Sequence, residues 1–123
     1  MYQKLPCAQP IEKVALFNVG GSSLDAGDSI LAELASGAIV ASSPPSMFRI
    51  MVSMSKAGKF KAQLTQDSTT KDLTFNNDTN LAADSVYIFE MLVNEDDSID
   101  FEQDQTDQTI NVLIVQEILM GTQ

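Results

Sequence analysis

The chain predicts an all-β fold: an antiparallel β-sandwich, jelly-roll-like, of eight or nine strands, with an extended N-terminal arm. Three observations predict it. Short apolar runs alternate with polar residues at period two. Clusters of Gly, Pro, Ser, Asn and Asp separate those runs at the roughly 8–12-residue spacing of sandwiches. A parallel α/β fold would need crossover helices, and no run of about 10–15 residues supplies one.

Taken in order, residues 1–12 hold Pro6 and Pro10 and few large apolar groups, which predicts an extended arm ahead of one sandwich domain over residues 13–123. Lys13–Val19 is the first strand, ended by Gly20-Gly21-Ser22-Ser23. Ser29–Ala35 reads as a strand on the alternation of Ile30, Ala32 and Leu34; a short helix is the rival, because Ile30, Leu31, Leu34 and Ala35 also suit a 3.6 period. Ala38–Ala41 is a short strand before Ser42-Ser43-Pro44-Pro45. Ser46–Ser55 is the clearest strand, with Phe48, Ile50, Val52 and Met54 on one face. Ala57-Gly58 signals a hairpin into Lys59–Gln66, where Phe60, Ala62 and Leu64 point inward. A polar turn at Asp67–Thr70 precedes Asp72–Phe75, and Asn76–Asn80 is a loop. Val86–Val93 follows, then Ser98–Gln103, with Ile99 and Phe101 inward and Asp100 and Glu102 outward. Thr109–Leu119 closes the pattern. All six Phe residues, Phe17 included, fit inward positions.

Composition excludes several function classes. The chain has 123 residues, 44% apolar, enough for one core and little more. It has no His, which removes Ser-His-Asp and Cys-His catalysis and His-ligated zinc. Its single Cys, Cys7, has no disulfide partner within the chain and reads as an incidental thiol. The net charge of −10 is uneven: residues 1–71 hold all seven bases and five acids, and residues 72–123 hold twelve acids. Such a surface repels phosphate and anionic lipid, so neither nucleic acid nor membrane is expected as a partner. No signal peptide opens the chain and no apolar run spans a bilayer, which predicts synthesis and folding in a cytoplasm.

Three strands carry large apolar groups on both faces: Met47–Met54, Val86–Val93 and Ile110–Val115. A sandwich strand facing water is normally polar on its outer face, so these second faces predict a homo-oligomer, a trimer ahead of a pentamer. Met47, Met51, Ile88, Leu113 and Val115 are the expected interface residues. The competing reading is that loops or the arm cover that face.

The window Asn94–Asp107 is half Asp and Glu, and carboxylate oxygens suit Ca²⁺, with Glu95, Asp96 and Asp97 as the candidate ligands. The spacing departs from a calcium-binding helix–loop–helix, and a solvated rim is the preferred reading. Neither a catalytic carboxylate pair nor a sugar-stacking Trp stands out, and Gly20–Ser23 lacks the Gly-Lys-Ser/Thr of a phosphate loop. A non-enzymatic protein is expected.

The strand SMFRIMVSMS, its turn into KFKAQL, the stretch LAADSVYIFEMLVNEDDSIDFEQ and the closing TINVLIVQEI carry a resemblance. From Pro45 to the end the chain resembles small jelly-roll virion proteins of prokaryotic tailed viruses, the head-decoration and turret subunits. The resemblance implies a structural subunit on the outer virion surface that assembles through its β surfaces, with the arm reaching a neighbour or a major capsid or other shell protein. Two other readings stand beside it: a ligand- or carbohydrate-binding sandwich, such as a receptor-binding tip, and a subunit of an extracellular filament whose arm donates a strand.

Overall fold

Uninterrupted alternation decides most of the strands, and two local breaks in it decide how the first and the last ones lie. The computed structural model describes residues 10–42 and 45–119. Eight strands and one short helix follow in order: β1 (Pro10–Gly20), α1 (Ile30–Leu34), β2 (Ile39–Val40), β3 (Ser46–Met54), β4 (Phe60–Gln66), β5 (Thr69–Thr74), β6 (Tyr87–Val93), β7 (Ser98–Gln103) and β8 (Thr109–Leu119). Of the expected arm, residues 10–12 belong to β1, and the remainder lies outside the described residues.

The strands form two four-stranded antiparallel sheets, β1-β8-β3-β6 and β2-β7-β4-β5. Every strand of the first half pairs with one of the second in reverse order: β1 with β8, β2 with β7, β3 with β6 and β4 with β5. The β3–β8 and β4–β7 pairings join these ribbons into sheets. This is the rolled-up antiparallel ribbon of a jelly roll, as the sequence predicts.

Between the sheets lie Phe48, Ile50, Val52 and Met54 of β3, Phe60 and Ala62 of β4, Ile99 and Phe101 of β7, and Ile110, Leu113 and Val115 of β8, all buried. Stacked rings run from Phe101 through Phe60, Phe75 and Phe89 to Tyr87, with centroids 4.5–6.0 Å apart, and tie the two sheets together. Pairs of this kind contribute about 0.5–1.5 kcal/mol beyond their buried area.

Three expectations change. Ser29–Ala35 holds the helix α1, the rival reading. Its Ile30 and Leu31 are fully buried where it packs on β7 and β1. The turn at Ala57-Gly58 makes no hairpin, because β3 and β4 belong to different sheets and the chain crosses the sandwich there. The true hairpin is β4–β5, whose turn residues Asp67 and Ser68 both have positive φ, 48° and 70°, as a twist-matched two-residue turn needs. Phe17 faces outward and is 60% exposed, because β1 carries a bulge at Lys13, between Glu12 and Val14, that moves its later residues to the opposite phase.

Candidate functional site

The outer face of the first sheet follows from the register. Four rows of side chains cross β1, β8, β3 and β6 in turn. The first is Pro10, Ile118, Met47, Leu92. The second is polar: Glu12, Gln116, Arg49, Glu90. The third is Ala15, Ile114, Met51, Ile88. In the fourth, Phe17, Val112 and Ser53 lie side by side.

Much of this apolar surface faces solvent. Phe17, Ile88 and Leu92 are each 59–61% exposed, and Met47 and Met51 are half-buried between them. The Arg49 Nε lies 3.0 Å from Glu90 Oε2, an exposed ion pair. Neighbouring apolar groups raise the cost of leaving this face wet, since isolated exposed hydrophobics are ordinary and contiguous ones are not.

Of the five residues expected at the interface, the structure brings Met47, Met51 and Ile88 together on this face. It places Leu113 and Val115 elsewhere: both are fully buried between the sheets. The reason is a bulge in β8. Met54 pairs with Ile110 and Ser53 with Val112, so Asn111 is an extra residue and the side-chain phase reverses across it. The outward residues of β8 are therefore Val112 and Ile114, which period-two reading from Ile110 assigns to the core.

The outer face of the second sheet is polar apart from Val40 of β2. Asp100, expected outward and solvated, is 7% exposed because α1 lies against it. Its Oδ1 accepts hydrogen bonds from the backbone N–H of Leu31 and Phe101, each 2.7 Å. Beside it, Ser29, Ala38, Gln63, Thr65, Thr70 and Asp100 line an open groove of about 350 Å³. Gln63 accepts from the Ser29 hydroxyl and donates to Glu102. Glu102 and Asp72 meet across β4. Burial, then a hydrogen bond and like charge from Asp72, hold the Glu102 carboxyl above its ordinary value, against the pull of Lys61 and Gln63. Outward alternation marks each of these acids singly in sequence; only the β5-β4-β7 register shows that they meet.

Glu117 is the other group that sequence reasoning missed. It is fully buried on the inner face of β8, with Lys13 Nζ 3.3 Å away. The Ser42 backbone N–H donates to it at 2.7 Å and the Ser42 hydroxyl at 2.9 Å. Burial pushes its carboxyl up, but these bonds, one from the Ser46 side chain and the Lys13 ammonium outweigh that and hold it below the ordinary value.

The calcium candidates do not converge. Glu95, Asp96 and Asp97 follow one another in the β6–β7 turn, and the Asp97 carboxylate accepts from Gln66 at 2.9 Å. No group of three or more acidic or thiol side chains able to hold a cation occurs among the described residues. Cys7 lies outside them. Among the described residues no helix is long and apolar enough to cross a membrane. No protein-family model matches the chain, and no curated protein matches it.

Proposed function

We infer that the chain is a non-enzymatic structural subunit that assembles through the outer face of its first sheet, as a decoration or turret subunit on the exterior of a virion. The observation that carries this reading is the exposed apolar face: Phe17, Ile88 and Leu92 flank Met47 and Met51 on one side of an eight-stranded jelly roll. A surface of this kind marks an interaction site. The acidic balance supports an outward-facing position away from a packaged genome. Purified particles from the native source test the reading. The expected result is this chain at many copies per particle, and its absence from particles would overturn the virion role.

One observation favours a second reading, that of a ligand-binding module. The groove beside Asp100 offers hydroxyl and amide groups from Ser29, Gln63, Thr65 and Thr70 in a small space. It lacks an aromatic platform among its lining residues, which counts against sugars. A glycan array with a clear hit, lost in Gln63→Ala, would put this reading first.

A further inference from the structure

We propose that the occupant of the apolar face is a second copy of this chain, docked sheet on sheet about a twofold axis that runs parallel to the strands between β8 and β3. The proposal rests on the assembly reading above and names its partner and geometry: a single face that meets itself closes as a twofold pair, in place of the trimer or pentamer expected from the sequence. Facing sheets pack with their strands within about 30° of each other. A twofold axis along the strands keeps each row at its own level while reversing its order. β8 then lies over the partner's β3, and β1 over the partner's β6.

At the edge strands that arrangement matches large groups with small ones. The most exposed apolar residues of β6, Leu92 and Ile88, meet the partner's Pro10 and the partner's Ala15, the small members at the opposite end of the same rows. Met51 faces the partner's Ile114, and Met47 lies over the partner's Ile118, which is only 8% exposed within its own chain and adds little new burial. In the polar row, Arg49 comes opposite the partner's Gln116, an amide that accepts a hydrogen bond, while Glu12 and the partner's Glu90 come opposite each other on the edge strands, at the rim where water screens them. The other in-plane axis, along the polar row, also sets acid on acid at the rim, and in addition stacks Arg49 on the partner's Arg49 in the middle of the face. That central pair of like charges disfavours it.

The size is sufficient. Four strands about 4.8 Å apart and the nine residues of β3, rising about 3.4 Å each, give a footprint near 600 Å² per copy. Two such faces bury about 1,200 Å², the lower end of stable specific interfaces. Each copy carries a net charge of −10, so added salt screens the repulsion and tightens the pair, the reverse of a charge-driven complex.

Thiol cross-linking tests the geometry in a Cys7→Ser background. Ala15 and Ile88 sit on opposite edge strands of one sheet. They are three strand spacings apart, about 14 Å, too far for a disulfide within one chain. The double variant Ala15→Cys with Ile88→Cys is expected to oxidise to a closed covalent dimer, while each single variant stays uncross-linked. Sedimentation of the unmodified chain is expected to show a dimer that Ile88→Asp with Leu92→Asp weakens by about 100-fold, with the thermal melt of the monomer preserved. A ladder of multimers, a trimer mass, or a dimer without the cross-link would overturn the twofold geometry and leave assembly standing. A chain that is monomeric at all concentrations yet present on particles would overturn self-association and spare the virion role. One that is monomeric and absent from particles would end both.

Discussion

Glu117 shows how a single buried charge is held in this core. Its carboxylate is satisfied by Ser42, Ser46 and Lys13, and its folded-state value lies below the ordinary one. A depressed carboxylate stabilises the fold above its unfolded value, and that contribution is lost as the pH falls through the folded value. Glu102 has the opposite sign: its raised value favours the fold at low pH, and the benefit is lost as the pH rises through the folded value. Urea unfolding followed between about pH 3 and pH 7 separates them. Glu117→Gln is expected to cost about 1–3 kcal/mol at neutral pH and to flatten the acid side of the profile. Glu102→Gln is expected to gain about 0.5 kcal/mol at neutral pH by removing the repulsion with Asp72. Gly20 is constrained in another way. Its φ is +117°, and a Cβ there would lie 2.4 Å from the Gln108 backbone oxygen. Gly20→Ala is expected to cost about 2 kcal/mol or more in the same assay, since neither the backbone nor the carbonyl can yield cheaply.

At the scale of elements, alternation reads correctly wherever nothing interrupts it. Phe48, Ile50, Val52 and Met54 of β3, Phe60 and Ala62 of β4, and the split of Tyr87 and Phe89 from Ile88 and Leu92 in β6 all follow from period two. Two inserted residues defeat the same rule. Lys13 in β1 and Asn111 in β8 each add one position, so Phe17 turns out and Leu113 and Val115 turn in. Neither residue announces a bulge, because the bulge is defined by the partner strand's register. The Lys13 bulge coincides with the ion pair from that residue to Glu117, so the irregularity accompanies the buried acid. Asp100 escaped the reading for a related reason: its burial comes from α1, a segment whose own pattern allowed a strand. The Ala57-Gly58 turn showed that the chain reverses, but not that it changes sheets. The two faces of the first sheet make a quantitative contrast. Ile50→Ala removes a fully buried side chain and is expected to cost about 2–5 kcal/mol. Ile88→Ser on the outer face is expected to change monomer stability by about 0.5 kcal/mol or less. Equal losses at both positions, measured by denaturant titration at a concentration where the chain is monomeric, would show that the outer face is covered within the monomer.

At the scale of the whole molecule, the uneven charge along the chain is folded away. Each ion pair among the described residues joins a base from the first four strands or their connections to an acid from later in the chain: Lys13 to Glu117, Arg49 to Glu90 and Lys59 to Asp78. The same ordering governs the sheets, in which no two of β1, β2, β3 and β4 pair with each other. On the ribosome, the first 66 residues therefore emerge without a native strand partner, and the earliest pairing available to them is the β4–β5 hairpin. At about 5–20 residues per second, the rest of the chain follows only seconds later. Through that interval the apolar strand β3 has no native strand partner of its own chain to pair with. A fragment ending at Gln66 is expected to lack strand signal by circular dichroism, and a fragment that folds would show that the first half forms structure of its own.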